Sequence, residues 1–280
     1  MTLRQCITAA KSRLVAAGIE PSEAARDALL LAMHALGWDR ATLHARDTDA
    51  PPAGFEAAYT PAIERRTRRE PVAYIVGVQE FWNRDFAVSP AVLIPRPETE
   101  LIIEEALSMV FGAVADIGTG SGCLAVTLAA EFPRSRVVAT DISAGALAVA
   151  RANAARHGVA ERIDFRETRY LDGIAGPFDL IVSNPPYVTD EEYANLAPEV
   201  RDAEPRSALT AGADGLDDIR QVLRCTATKL APGGMLLMEI GHNQGGTVTE
   251  LIASQGLLTL LRISQDLQRI PRVVVAQRST

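Results

Sequence analysis

Asn184, Pro185, Pro186 and Tyr187 are the residues whose types and order could do chemistry, because they follow directly on the apolar run Phe178–Ser183. An apolar strand that ends in a rigid polar loop places that loop beyond the carboxyl edge of a sheet, where open α/β sheets bind ligands. The residue types fit one task. An amide or exocyclic amine nitrogen is a poor nucleophile because its lone pair is delocalised. A site for it must hold both N–H groups and aim the remaining nitrogen density at an electrophile. The Asn184 side-chain carbonyl is one acceptor and the Pro185 backbone carbonyl a second. Proline fixes φ and lacks an N–H, so these acceptors are preorganised. The Tyr187 ring can pack on a planar group. Methyl transfer from a sulfonium to such a nitrogen is an in-line displacement governed by positioning. Acceptors that strengthen as charge develops on nitrogen add electrostatic stabilisation. The competing reading is a proline-rich turn that only closes a strand, since Asn-Pro commonly opens turns.

A second cluster, Gly118, Thr119, Gly120, Ser121 and Gly122, follows the apolar stretch over 113–117 and is preceded by an acid, Asp116. Glycines at a strand-to-helix turn let the backbone bend tightly and approach a ligand. The dinucleotide fingerprint would place its third glycine at 123, where this chain has Cys123. The pattern departs from a pyrophosphate cradle. It suits a cofactor without phosphates, whose amino-acid tail and ribose lie along the turn. Asp141 ends the next apolar strand, where a carboxylate can accept both ribose hydroxyls. Together the two features predict an adenosine ligand. Taken singly, each has a plainer explanation, a structural turn and an acid that caps the next helix.

These residues need a scaffold. From about residue 112, strands and helices alternate. Strands are expected over 113–117, 136–140, 162–166, 178–183 and 235–240, with two more near 258–263 and 272–276. Helices are expected over 122–131, 144–157, 216–230 and 246–254. That alternation predicts an α/β fold, a parallel sheet covered by helices on both faces. Residues 1–75 instead read as helical. Leu3, Ile7, Ala10, Leu14 and Ala17 recur at helical spacing, and Pro21-Ser22 opens a second helix with Ser22 as N-cap. Shorter helices over 41–46 and 55–69 complete a small helical domain, expected to recognise the substrate. Residues 76–97 form a linker. Phe81, Trp82, Phe86 and Val88 around Asn83-Arg84-Asp85 predict a hairpin. Pro95 and Pro97 then hold an extended path into a helix over 98–109. The large domain spans 98–280.

Bulk properties exclude several classes. The 280 residues are 48% apolar and 22% charged, enough for a sizeable core. Net charge is -7, whereas a protein that grips nucleic acid usually carries a basic surplus. Arg65, Arg66, Arg68 and Arg69 cluster, and are read as a solvated helix face. Three widely spaced cysteines, Cys6, Cys123 and Cys225, form neither a disulfide framework nor a metal site, which fits a reducing cytosol. Charges in the first apolar stretch rule out a signal peptide there, and no apolar run is long enough to span a bilayer. A cytoplasmic monomer without membrane or direct nucleic-acid contacts is expected.

The chain resembles the PrmC/HemK family, the peptide chain release factor glutamine methyltransferases. The resemblance covers nearly all of it: the helical N-terminal domain, Phe81-Trp82, the segment Ile94-Pro95-Arg96-Pro97-Glu98-Thr99-Glu100, the turn at 116–122 and Ser183 to Tyr187. Asn-Pro-Pro-Tyr alone is shared with amino-group methyltransferases acting on DNA; the Pro-Arg-Pro-Glu-Thr-Glu segment makes the match specific. The resemblance implies a Rossmann-like class I S-adenosylmethionine-dependent methyltransferase domain with a mostly parallel seven-stranded sheet. It implies that Gly118, Thr119, Gly120, Ser121 and Gly122 cradle the methionine end of S-adenosyl-L-methionine, that Asp141 holds the ribose, and that Tyr170 lies near the adenine. Asn184, Pro185, Pro186 and Tyr187 would clamp the substrate glutamine, with Asn184 also near the cofactor methyl. The implied reaction methylates N5 of the glutamine in the Gly-Gly-Gln loop of class I release factors and leaves S-adenosyl-L-homocysteine. Arg169 stands where family members often carry an acid. Rival readings are a glutamine methyltransferase of a large-subunit ribosomal protein, an adenine or cytosine methyltransferase that flips a base out of nucleic acid, and a non-catalytic adenosine-binding adaptor.

Overall fold

The computed structural model describes residues 1–279. The chain divides into two compact units, residues 1–78 with 197–203, and residues 79–196 with 204–280.

The first unit is a helical bundle of α1 (Leu3–Ala16), α2 (Pro21–Leu36), α3 (Arg40–Ala45), α4 (Phe55–Thr67) and a five-residue α5 (Val72–Val76). Leu3, Leu14, Leu31, Phe55 and Ile63 are fully buried in its core. Thr2 and Gln5 form a reciprocal cap on α1. The start of α2 differs from expectation. Glu20, not Ser22, is its N-cap, with its carboxylate accepting the backbone N–H groups of Ser22 and Glu23. Pro21 then sits at the first helical position, where a missing N–H costs nothing. The arginine cluster also differs, because it is not a solvated face. Arg66 is buried on the inner side of α4 and donates to Asp27 at 2.7 Å, Glu23 at 2.8 Å and Glu199 at 3.1 Å. Arg69 also pairs with Glu199 at 2.6 Å, and Arg65 with Glu70 at 2.5 Å.

The second unit opens with the hairpin of β1 (Val78–Phe81) and β2 (Arg84–Ala87). Its two turn residues, Trp82 and Asn83, both have φ of 53°, as a tight primed hairpin turn requires. A 3₁₀ turn (Pro97–Thr99) leads into α6 (Glu100–Leu107). Then follow β3 (Ala113–Ile117), α7 (Cys123–Glu131), β4 (Arg136–Asp141), α8 (Ala144–Arg156), β5 (Ile163–Glu167) and β6 (Phe178–Ser183). After the short α9 (Asp190–Ala194), the chain contributes α10 (Pro198–Arg201) to the first unit and then, in the second, α11 (Asp217–Lys229), β7 (Leu230–Glu239), α12 (Gly245–Gln255), β8 (Leu258–Gln265) and β9 (Pro271–Arg278).

The seven-stranded sheet runs in the order β5-β4-β3-β6-β7-β9-β8. It is parallel except for β9, which is antiparallel to both of its neighbours. Successive strand residues face opposite sides of a sheet, and both sides here are apolar. Val114, Leu180, Val182 and Leu237 pack with α6, α7 and α8, while Ala115, Ile181, Leu236 and Met238 pack with α11 and α12. Strands buried on both faces read as continuous apolar runs, which is why 178–183 stands out in the sequence. The order reverses at β3: β4 and β5 lie to one side, β6 and β7 to the other. In that reversal Ile117 is level with Thr140 on one neighbour and Ser183 on the other. The two loops that leave β3 and β6 therefore start side by side. Among the described residues, no helix is long and apolar enough to cross a membrane.

Candidate active site

The turn after β3 is built from backbone. The N–H groups of Gly118 and Thr119 both donate to the Thr140 carbonyl at 2.9 Å. Gly118, Gly120 and Gly122 have φ of 73°, 54° and 82°, a region that side chains strain to enter. A Cβ on Gly118 or Gly120 would meet nothing within 4 Å, so these two leave open space above the turn. Gly122 serves packing instead. A Cβ there would lie 3.1 Å from the Ala150 Cβ, so the bare backbone lets α7 approach α8. Asp141 accepts Gly120 N–H at 2.9 Å with one carboxylate oxygen and Ser143 N–H at 2.9 Å with the other. Beneath the turn, buried Asp116 accepts from the Thr119 hydroxyl at 2.6 Å and Ala125 N–H at 3.1 Å, while its Oδ1 has no donor among the described residues. Burial, stronger than these two bonds, pushes the Asp116 carboxyl up to about 7.

The loop after β6 is held from behind. The Ser183 hydroxyl donates to the Ile117 carbonyl at 2.9 Å, tying the two strand ends together. Asn184 Nδ2 donates to Thr99 Oγ1 at 3.0 Å, and Thr99 Oγ1 donates to Glu239 Oε2 at 2.6 Å. The Tyr187 hydroxyl donates to Glu239 Oε1 at 3.2 Å. Glu239 is 1% exposed, and that burial pushes its carboxyl up to about 7 against the opposing pull of the two hydroxyl donors. Burial, then Glu239 itself, also raises the Tyr187 phenol. Gln244 braces the far side of the loop. Its Nε2 donates to the carbonyls of Tyr187 at 3.1 Å and Gly215 at 2.9 Å, and its Oε1 accepts Gly241 N–H at 2.8 Å.

Gly118, Thr119, Gly120, Ser121, Asp141, Tyr170, Asn184, Pro185 and Pro186 all line one cavity of about 310 Å³. Gly122 and Tyr187 do not. Gly122 is turned into the α7–α8 contact, and the Tyr187 ring is packed among the core residues below the sheet's carboxyl edge. Tyr170 takes a positive φ of 50° and donates to Asp218 Oδ1 at 2.7 Å. Arg169 lines the wall beside it, its guanidinium 5.8 Å from the Tyr170 ring centroid. Pro95, Arg96 and Thr99 form another wall. Glu204, 5% exposed, accepts Ile94 N–H at 3.0 Å and the Arg96 guanidinium at 2.5 Å, and Glu100 accepts Trp82 N–H at 2.8 Å. Sequence reasoning did not single out Glu239, Asp218, Glu204 or the bracing role of Gln244. Glu239 had a readable signal, an acid ending the apolar run Met235-Leu236-Leu237-Met238. Cys123 and Cys225 are unfit as nucleophiles, because burial pushes their thiols up to about 12 and about 11. Among the described residues no group could hold a metal ion.

Comparisons with known proteins meet this geometry from two sides. The family described as methyltransferase small domain matches residues 97–207, and the one described as PrmC N-terminal domain matches residues 5–77. The release factor glutamine methyltransferase of Cereibacter sphaeroides is 47% identical over 99% of this chain and 99% of its own length. That of Koribacter versatilis is 45% identical, with 100% of each chain covered. Among solved structures, a methyltransferase from Pyrococcus furiosus matches with a TM-score of 0.54 at 17% identity, over 79% of this chain and 100% of that one. The 16S rRNA N2 G1207 methyltransferase of T. thermophilus, solved in complex with AdoMet and guanosine, matches with a TM-score of 0.50 at 14% identity, over 72% of this chain and 50% of that one. At these identities the two structures speak for the fold alone.

Proposed function

The chain belongs to the release factor glutamine methyltransferases, and we propose that it methylates N5 of the glutamine in the Gly-Gly-Gln loop of class I release factors, with S-adenosyl-L-methionine as donor and S-adenosyl-L-homocysteine as product. One observation carries this reading: the glycine turn after β3 and the rigid amide-bearing loop after β6 open onto the same cavity.

The residues present fit the donor. The open space above Gly118 and Gly120 admits a close ligand. Asp141 lines the cavity and would take the ribose hydroxyls; Tyr170 and Arg169 form the wall for the adenine. No phosphate ligand is called for, since the cavity's glycine turn departs from the pyrophosphate fingerprint at Cys123. When bound, the sulfonium supplies an electrophilic methyl: the glutamine nitrogen's lone pair forms the N–C bond as the S–C bond breaks, the released pair stays on sulfur, and nitrogen sheds one N–H proton to water.

The chain's own residues bind and orient. Asn184 Oδ1 and the Pro185 carbonyl accept the two amide N–H bonds, which leaves the nitrogen's remaining density to face the donor. Pro185 and Pro186 keep those acceptors in place without backbone motion, so little ordering is left for the reacting complex. As nitrogen acquires positive charge its N–H groups become stronger donors, and the fixed carbonyl oxygens stabilise that state more than the ground state.

The test is mass spectrometry of a class I release factor co-expressed with the protein. The wild type adds one methyl to the glutamine of the Gly-Gly-Gln loop. Asn184→Ala lowers turnover by about 10²–10³-fold while cofactor affinity changes by less than about threefold. Methyl label found only in nucleic acid, or near-normal turnover in the mutant, would sink the assignment.

A further inference from the structure

We propose that Thr99 and Glu239 are positioning residues that decide which end of the Asn184 amide meets the substrate. The inference rests on the reading of Asn184 as the acceptor for the substrate amide. It follows from counting protons. A hydroxyl carries one hydrogen and can accept as well as donate, whereas an ionised carboxylate only accepts. Thr99 Oγ1 lies 2.6 Å from Glu239 Oε2 and 3.0 Å from Asn184 Nδ2. Its single hydrogen goes to the carboxylate, so it offers Asn184 only a lone pair. Only the NH₂ end of the amide can use that lone pair. Nδ2 is thereby held against Thr99, and Oδ1 is left for the cavity side. The second carboxylate oxygen is occupied by the Tyr187 hydroxyl at 3.2 Å, the next residue but one from Pro185. One carboxylate thus anchors both ends of the loop. Glu239 is not on the cavity wall while Thr99 is, so the carboxylate acts only through these two hydroxyls.

The relay has a direction, and a proton on Glu239 reverses it. The carboxylic acid then donates to Thr99, which frees the Thr99 hydrogen for Asn184. The amide turns over to accept it, and an NH₂ group faces the substrate NH₂. Two donors then oppose each other, and the clamp has lost its acceptor. Turnover therefore requires the ionised form. Burial and Glu98 oppose ionisation, while the Thr99 and Tyr187 donors and Arg272 favour it, and the balance lies at about 7. Cys123 also faces this charge, and stays a thiol throughout.

Three variants and two readouts test the relay. Thr99→Val, which keeps the shape and removes the hydroxyl, lowers kcat by about 10- to 100-fold and changes both KM values by less than about threefold. Thr99→Ser, which restores a hydroxyl, recovers most of that loss. At saturating cofactor, wild-type kcat falls as pH drops through about 7, and Glu239→Gln, which has no proton to gain, lacks that limb. The second readout needs no substrate. The side-chain ¹⁵N–¹H₂ signals of Asn184, identified by their loss in Asn184→Asp, shift in Thr99→Val and titrate with a midpoint near 7 in the wild type but not in Glu239→Gln. Wild-type kcat in Thr99→Val, or Asn184 signals indifferent to both substitutions, overturns the relay. If the wild type methylates no release factor, the functional reading falls, and the Asn184 signals still decide the relay.

Discussion

The two units each bury a charged side chain, and they treat it in opposite ways. In the helical unit Arg66 is 1% exposed and is surrounded by carboxylates of Asp27, Glu23 and Glu199. Burial works against its charge, but the bonds to Asp27 and Glu199 outweigh it, and its pKa rises further. Glu199 is likewise kept below the usual carboxylate range despite its own burial, by bonds that include Arg69 and Arg66. In the second unit Glu239 is equally buried, yet its bonded neighbours are neutral hydroxyls, and it titrates near neutrality. A buried charge with full compensation becomes inert scaffold. One with partial compensation stays chemically responsive, and such groups gather at functional sites.

The comparison breaks first at Arg66. Removing the central cation of a buried ion cluster strips its carboxylates of most of their compensation, at a cost of about 3–5 kcal/mol. Arg66→Ala should lower the unfolding free energy by that amount in denaturant titrations followed by tryptophan fluorescence, with buried Asp27 left only the exposed Arg26 at 3.8 Å. A loss below about 1 kcal/mol would mean that the cluster behaves as a surface pair, and the contrast with Glu239 would collapse.

Asp141 sharpens the contrast as an intermediate case. Among the described residues no cation pairs with its carboxylate; two backbone N–H groups hold it at the cavity rim. Asp141→Ala should weaken cofactor binding by about 10- to 100-fold, the effect of losing hydrogen bonds to a charged group. Turnover at saturating cofactor should stay within about threefold of wild type, since in the proposed binding mode the carboxylate would hold the ribose, away from the reacting centre. Calorimetry showing unchanged affinity refutes the ribose role.

What the sequence revealed and what it hid divide along the same line. The glycine turn, Asp141 and the Asn184 loop were legible because each is a local pattern: an apolar run, then residues that a tight turn or a rigid loop requires. The central strands β3 and β6 were legible because strands buried on both faces read as apolar runs, while the edge strands β5 and β8 are mostly exposed and were placed by their alternation with helices. Glu239 could be picked out as an acid ending an apolar run, but its role, and Thr99's, lie in a contact across 140 positions. No local rule pairs a threonine after a proline-rich segment with an acid at the end of β7. Arg66 was misread for another reason. Phe55, Tyr59, Ala62, Ile63 and Arg66 share the buried stripe of α4, so helical periodicity placed the arginine inward, but residue type argued for solvent. α5 was missed because five residues are too few to display a period.

The smallest expected effect is the most discriminating. Both Glu239 and Asp116 have folded-state pKa values raised to about 7 from ordinary carboxyl values of 4.5 and 3.8. A folded state that holds a proton more tightly than the unfolded chain gains stability at low pH. That gain is complete below the unfolded value and is lost as pH rises through about 7. Each group should therefore remove about 1 kcal/mol of stability between pH 6 and pH 8. Glu239→Gln should cancel its half of that decline, as measured by denaturant unfolding at the two pH values. In the same interval the relay makes wild-type turnover rise. Stability and activity should then move in opposite directions with pH, and only in the protein that retains Glu239. A Glu239→Gln variant with an undiminished stability slope would show that the carboxyl shares its charge with partners, as the Arg66 cluster does, and would remove the distinction between the two networks.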